Sequence, residues 1–315
     1  MSALRARAAT ASEIDERNRL TAPVWGNRLT VEQYLERERR LRETAFSKSA
    51  MRTWVLERDD GRVVASHESY RMVTDGDFGP GHAEGIASVF VEEPLRGQGF
   101  AKEILAQSLA RFREEKAQAS ILWSEVGAGI YAKLGYHDRP IRARQWLPAA
   151  GPIGEVATPF ARNDADAPDP GNSVPAGAGA PSFRIVLTRE QLEWHRERAA
   201  FYHQVLAPSR RHPDSLAGAT AGEAWIHWMP DYRLERLMVL ACRTGTHEEN
   251  LRLAEALRRA TWTLGMPVAE LWISPSLDLW GGTTVNRDDE LPMIAPIADG
   301  IAPMDWSDYG RGCWI

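Results

Sequence analysis

The most informative stretch of this chain is Ser88-Val89-Phe90-Val91-Glu92-Glu93-Pro94-Leu95-Arg96-Gly97-Gln98-Gly99-Phe100-Ala101. It begins as an apolar strand, passes a turn with two glycines two positions apart, and enters a helix. Gly97 and Gly99 allow backbone conformations closed to other residues and a close approach to a ligand. The amides of residues 97–101 would then lie at a helix N-terminus, whose partial positive charge favours phosphate, with Arg96 beside them. We call residues 96–101 the cradle.

The cradle differs from two common phosphate-binding loops. No Gly-Lys-Ser or Gly-Lys-Thr is present, which excludes a P-loop. A dinucleotide fingerprint would need its first glycine at position 95 or 96 and a following parallel strand that carries an acid. If only the two glycines are considered, an ordinary strand-to-helix turn remains an alternative.

The segments around the cradle predict an α/β fold, with a mixed sheet and helices on both of its faces. In the first half, the periodicity predicts helices at 12–20, 30–44, 99–116 and 129–134, and strands at 52–58, 62–72, 85–91, 120–124 and 143–147. The second half follows a similar order, with helices at 188–206 and 247–264 and strands at 224–229, 236–243 and 268–273. We therefore expect a second, degenerate copy of the same fold.

A segment rich in proline and glycine divides the two halves. Residues 148–182 contain seven prolines and five glycines, a density that breaks helices and strands. The sequence therefore predicts a first domain at 1–147, a linker at 148–182 and a second domain at 183–315. An alternative is that the first third of this segment is ordered, with Ile153, Val156 and Phe160 as its anchors.

Composition excludes several classes of protein. The 315 residues are 43% hydrophobic and 26% charged, with a net charge of −5, which suits a folded soluble chain. No apolar run approaches the roughly 18 residues of a membrane span, and neither half has the basic excess of a nucleic-acid binder. Two cysteines, Cys242 and Cys313, make neither a disulfide scaffold nor a Cys-rich zinc site, and the histidines show no metal-ligand spacing. We expect a cytoplasmic protein without a metal.

Two segments resemble the GNAT acyltransferase superfamily. The spacing Arg-x-x-Gly-x-Ala after a valine-rich strand is similar to the acetyl-CoA pyrophosphate loop of these enzymes. Ile130-Tyr131-Ala132-Lys133-Leu134-Gly135-Tyr136 is similar to the segment that follows their fifth strand. The resemblance implies acetyl-CoA as co-substrate and Tyr131 as the general acid for the departing thiolate. It implies the following residues as binding the co-substrate: Val89, Phe90, Val91, Arg96, Gly97, Gln98, Gly99, Phe100 and Ala101.

The reaction implied by this resemblance is direct attack of an amine on a thioester, which requires a base for the ammonium proton. The candidates are His82, Glu84, Glu68 and Glu125, and each of them also has an ordinary structural interpretation. We expect Glu125 to face the amine, because it directly follows a central strand, and we retain Glu84 as a second candidate.

Further similarity points to the fungal lysine N6-acetyltransferases. It rests on Pro23-Val24-Trp25-Gly26, on the strand at 85–90, on the run at 124–127 and on the closing Trp314-Ile315. This implies a small-molecule amine as acceptor, with the lysine side chain as one possibility. Alternative acceptors are a xenobiotic amine, a polyamine or a protein lysine. An alternative function is that of a module that binds acyl-CoA without turnover. The second domain lacks a cradle, so we expect it to bind no CoA and to shape the acceptor site.

Overall fold

The computed structural model describes residues 4–75, 78–139, 142–170, 183–273, 281–286 and 290–301. Its contacts divide the chain into two compact units, Met1–Arg139 with Asp289–Trp306, and Pro140–Asp288 with Ser307–Ile315. Within the described ranges, none of the helices is long and apolar enough to cross a membrane.

The helices and strands follow one another along the chain as β1 Leu4–Ala8, α1 Ala11–Trp25, α2 Val31–Arg42, α3 Ala45–Ala50, β2 Met51–Arg58, β3 Val63–Asp75, β4 Gly81–Phe90, α4 Phe100–Glu114, β5 Ala119–Ser124, α5 Gly129–Ala132, β6 His137–Asp138, β7 Arg142–Trp146, β8 Thr158–Phe160, β9 Arg184–Val186, α6 Arg189–Leu206, β10 Gly218–Ala221, β11 Ala224–Asp231, β12 Arg236–Arg243, α7 His247–Thr263, β13 Ala269–Ile273, β14 Thr283–Asn286 and β15 Leu291–Pro296.

The first unit is built on a sheet with the strand order β1-β2-β3-β4-β5-β15-β6. Its strands pair antiparallel except for β4 and β5, which run parallel and are joined through α4. The parallel pairing ends at Ile86 and Leu122, whereas β4 continues to Phe90 and β5 to Ser124. The carboxyl ends of these two central strands therefore have no pairing with each other.

Helix α4 packs on this sheet through a continuous apolar face. Ile104, Leu105 and Phe112 are fully buried and share a cluster with Ile86 of β4 and Leu122 of β5. Burial of each such side chain contributes about 1.5–3 kcal/mol. This packing fixes the axis of α4 on the sheet, and residues 91–99 connect the carboxyl end of β4 to its N-terminus.

The second unit contains a sheet with the order β14-β7-β13-β12-β11-β10-β8. Its central strands β12 and β13 pair parallel and are joined through α7, as β4 and β5 are joined through α4. The neighbouring pairs of this sheet are antiparallel. The predicted α/β class with a second, degenerate copy of the fold is therefore confirmed.

The structure corrects the predicted domain boundaries. β7, predicted as the last strand of the first domain, pairs with β13 and β14 in the second sheet. The strand beside β5 is instead β15, from residues 291–296. The alternation of apolar residues identifies a strand but not its partner, because pairing depends on contacts far apart in sequence.

The segment predicted as a linker is partly ordered. β8 pairs with β10, and Ile153 and Phe160 are buried, as the alternative for its first third predicted. Residues 171–182 and the closing Trp314-Ile315 lie outside the described residues. Strand β1 was not predicted from sequence, since its five residues carry two arginines and only a short apolar pattern.

Candidate active site

The cradle is a loop attached to the core at both ends. Leu95 and Phe100 are buried on either side of it, whereas residues 96–99 are exposed. Gly97 has φ 78° and Gly99 has φ 85°, conformations that favour glycine. Gly99 is the N-cap of α4 and its left-handed backbone directs the chain into the helix. Both glycines therefore have the left-handed conformation that was expected from their place in the turn.

The N-terminus of α4 is open to a ligand. No side chain caps it, and no amide of residues 97–102 donates a hydrogen bond to another described residue. The first amide that does so belongs to Glu103, which donates to the Gly99 carbonyl at 3.0 Å. Arg96 donates through Nε to the Val91 carbonyl at 3.2 Å, which holds its charge beside the loop. Unpartnered amides at a helix N-terminus with an adjacent guanidinium suit a phosphate or pyrophosphate.

Strand β4 contains a bulge just before the cradle. Ser66 pairs with Phe90 and Glu68 with Ala87, so that two steps along β3 span three steps along β4. The extra residue coincides with Ser88, which has φ 52°, an uncommon conformation for a residue with a side chain. The bulge lies beyond the last pair with β5. The backbone of Val89 and Phe90 therefore lies in the end of β4 that has no pairing with β5, although Phe90 still pairs with Ser66 of β3.

Tyr131 lies on α5, after a turn that Ser124 closes by donating to the Gly127 carbonyl at 2.6 Å. Its ring is buried in the apolar cluster that also contains Leu95 and Phe100 at the ends of the cradle. Its hydroxyl bonds to no described residue. Burial, and to a lesser degree Glu125, raise the pKa of Tyr131. The phenol therefore stays protonated at neutral pH, as a general acid must.

Glu84 lies away from the cradle. Its carboxylate is fully buried and accepts from Arg52 Nη2 at 3.1 Å and from Arg71 Nε at 3.0 Å. Both arginines also bind Glu115, which follows the C-terminus of α4, and that helix of about 22 Å has the cradle at its other end. Burial raises the pKa of Glu84 against the opposing effect of the two arginines. The Glu84 carboxylate is thus engaged in an ion-pair cluster.

The remaining base candidates have contrasting surroundings. His82 lies 3.9 Å from the Glu84 carboxylate, and burial, together with Arg71, lowers its pKa and keeps it neutral. Glu68 is buried beside Arg17 and Arg42. Burial alone would raise the pKa of Glu68, but the two guanidinium groups outweigh it and lower that pKa. Glu125 is exposed directly after β5.

Three residues near the bulge were not predicted from sequence. Arg17 and Arg42 resemble the solvent-facing charges of amphipathic helices, yet the Arg17 side chain is only 4% exposed. Ser88 was recognised only as part of a strand. The position of Arg17 on the same helix face as Thr21 is a signal that it is buried. The sequence gives no signal for its partners, because they lie on other elements.

The corresponding helix of the second unit is capped by its own side chains. Thr246 caps α7 in a capping box, accepting from the Glu249 amide, while Glu249 accepts from the Thr246 amide at 2.7 Å. A second oxygen of Glu249 accepts from the Glu223 amide at 3.2 Å. Side chains of the chain itself therefore bind the amides of Glu223, Thr246 and Glu249 at this helix end, whereas no side chain caps α4.

Comparisons with known proteins agree with this geometry. Residues 5–138 match the model of the acetyltransferase (GNAT) domain family. The chain aligns over 94% of its length with 73% of a conserved protein of unknown function from Enterococcus faecalis V583, at 12% identity and a TM-score of 0.58. A GCN5-related N-acetyltransferase from Anabaena variabilis shows the same coverage and identity with a TM-score of 0.57.

Eis1 from Mycobacterium abscessus aligns with 94% of this chain over 74% of its own length, at 13% identity and a TM-score of 0.51. No curated protein matches the sequence. At such low identities the solved structures establish a shared fold over both units, and the family model covers the first unit with its cradle. The segment at 5–138, which contains the cradle, is therefore similar to the acetyltransferase (GNAT) domain family.

Proposed function

We propose that this protein is an acetyl-CoA-dependent N-acetyltransferase that acts on a small amine. The observation that carries the proposal is the open N-terminus of α4, where two left-handed glycines precede a run of amides without partners. A site of this kind binds a phosphorylated ligand, and a GNAT acetyltransferase domain supplies the reaction class. The self-capped α7 in the second unit supports a single such site per chain.

Acetyl-CoA supplies an acetyl group already activated as a thioester. In the proposed complex, the amides of residues 97–101 and the Arg96 guanidinium hold the pyrophosphate. The backbone of Val89, Phe90 and Val91 lies beyond the pairing with β5, and on that side it receives the extended arm of the co-substrate as an added strand would be received. An amide in this stretch, at Val89 or Phe90, stabilises the negative charge that develops on the carbonyl oxygen.

Two proton transfers complete the reaction, in which a carbon–nitrogen bond forms and the carbon–sulfur bond breaks. Tyr131, which its raised pKa keeps protonated at neutral pH, gives its phenolic proton to the leaving sulfur. The incoming ammonium loses its proton to a base, directly or through one water. Glu125 is the candidate whose carboxylate remains exposed, whereas Glu84 and Glu68 are held by arginines.

The acceptor is a small amine, and the lysine side chain is the first candidate because of the sequence similarity to lysine N6-acetyltransferases. Thiol release from acetyl-CoA, measured across a panel of amines led by free L-lysine, tests the proposal. Turnover with lysine supports both the reaction and the acceptor. Turnover with another amine alone retains the reaction and rejects lysine. No turnover with any amine, despite bound acetyl-CoA, rejects catalysis in favour of a binding module.

A further inference from the structure

The bulge in β4 is held by three charged groups, one each from α1, α2 and β3. The Ser88 hydroxyl donates to the Glu68 carboxylate, and the Ser88 carbonyl accepts from Arg17 Nη2 at 3.1 Å. Arg17 Nη1 lies 3.5 Å from Glu68, and Arg42 donates to the same carboxylate. The hydroxyl and the carbonyl of Ser88 are thus bound by Glu68 of β3 and Arg17 of α1, and Arg42 of α2 binds Glu68.

This cluster is built into the core. The side chains of Arg17 and Glu68 are 4% and 8% exposed, and Arg42 is 23% exposed. Buried charges of this kind are costly to desolvate, and replacing them by apolar residues is often neutral or stabilising. Ion pairing alone therefore does not explain these buried charges. Ser88, with φ 52° inside a strand, does explain them, because a residue in such a conformation needs fixed hydrogen-bond partners.

We propose that Glu68, with Arg17 and Arg42, is a positioning group that holds Ser88 in its left-handed conformation and so orients the Val89–Val91 backbone toward the co-substrate. This inference rests on the proposed function for its catalytic consequence. It assigns Glu68 a role different from the general base considered above. A carboxylate with a lowered pKa and two guanidinium partners is a poor proton acceptor but a firm hydrogen-bond acceptor.

The test uses glycine, which adopts φ 52° without help from partners. Glu68→Gln removes the charge at nearly constant volume, and Ser88→Gly is combined with it in the double variant. Glu270→Gln is the matched control, because Glu270 is also a buried glutamate paired with an arginine, at 2.8 Å, but in the second unit. Amide hydrogen exchange of residues 87–91 is measured without ligand, and acetyl-CoA affinity is measured by calorimetry.

We expect Glu68→Gln to accelerate exchange at residues 87–91 and to weaken acetyl-CoA binding, each by about tenfold, the effect of one hydrogen bond. Ser88→Gly in that background should restore both to within about threefold, and Glu270→Gln should change neither. Unchanged exchange in Glu68→Gln, or a double variant without recovery, would overturn the proposal. So would a loss of kcat alone, which would identify Glu68 as the base.

The two proposals fail separately in this experiment. Exchange is read without co-substrate, so acceleration by Glu68→Gln and recovery by Ser88→Gly support the positioning role by themselves. If the unaltered protein then binds no acetyl-CoA, the proposed function is rejected while the structural role of Glu68 stands.

Discussion

Gly99→Ala is the substitution that most sharply separates the cradle from an ordinary turn. The added Cβ meets no atom within 4 Å in the free protein, so it causes no packing conflict. The φ of 85° remains costly for alanine, by about 1–2 kcal/mol, partly offset by the reduced freedom of the unfolded chain. We therefore expect the free energy of unfolding to fall by about 1 kcal/mol.

The effect on binding is expected to be larger. The Cβ occupies the open space through which a phosphate would approach the amides of residues 97–101. Loss of one hydrogen bond to a charged group costs about 1.5–3 kcal/mol, which corresponds to a roughly 10- to 100-fold rise in the dissociation constant of acetyl-CoA.

Gly61→Ala is the matched control. Gly61 lies in the turn between β2 and β3 and has φ 80°, and a Cβ added there would likewise meet no atom within 4 Å. Both variants should lose similar stability in thermal unfolding, while only Gly99→Ala loses affinity in a calorimetric titration with acetyl-CoA. A folded Gly99→Ala protein whose dissociation constant stays within about twofold of that of Gly61→Ala would show that acetyl-CoA does not bind at the cradle.

Three further predictions concern the first unit. Tyr131→Phe should lower kcat by about 100-fold and leave acetyl-CoA affinity unchanged, whereas Tyr136→Phe should mainly lower stability; equal kcat in both variants would contradict the acid role. Burial lowers the pKa of His67 to about 4, so below pH 6.5 the unfolded chain takes up a proton that the folded protein does not. The free energy of unfolding should therefore fall by about 1.4 kcal/mol per pH unit from pH 6.5 toward 4. If His67→Gln shows the same dependence of this free energy on pH in urea titrations, the prediction is wrong. Gly85→Ala places a Cβ 2.3 Å from the Tyr70 ring and should cost about 1–3 kcal/mol in denaturant unfolding; a loss below about 0.5 kcal/mol would show that the ring moves freely.

The conformation of the cradle could be predicted from the sequence because it depends on neighbouring residues. Gly97 and Gly99 have left-handed backbone conformations that their spacing predicted, and Thr30 and Thr188 cap the helices that follow them. Each of these features depends on residues within a few positions, where backbone sterics and capping hydrogen bonds determine the conformation.

Contacts between segments that are far apart along the chain could not be predicted from the sequence. The periodicity of residues 142–146 predicted a strand but not its place in the second sheet, and β15 joins the first sheet from more than 160 positions beyond its partner β5. The cluster of Arg17, Arg42 and Glu68 joins three elements in the same way. A single sequence has no signal that pairs these charges, because helical arginines usually face solvent.

The decisive measurement for the proposed site on α4 is the number of acetyl-CoA molecules that bind one chain. Calorimetric titration of the purified protein should give a stoichiometry of one, because α4 has an open N-terminus and α7 is capped by its own Glu249. We predict that this single site disappears in Gly99→Val and persists in Glu249→Gln. No binding to the unaltered protein, or binding that survives in Gly99→Val, would contradict the claim.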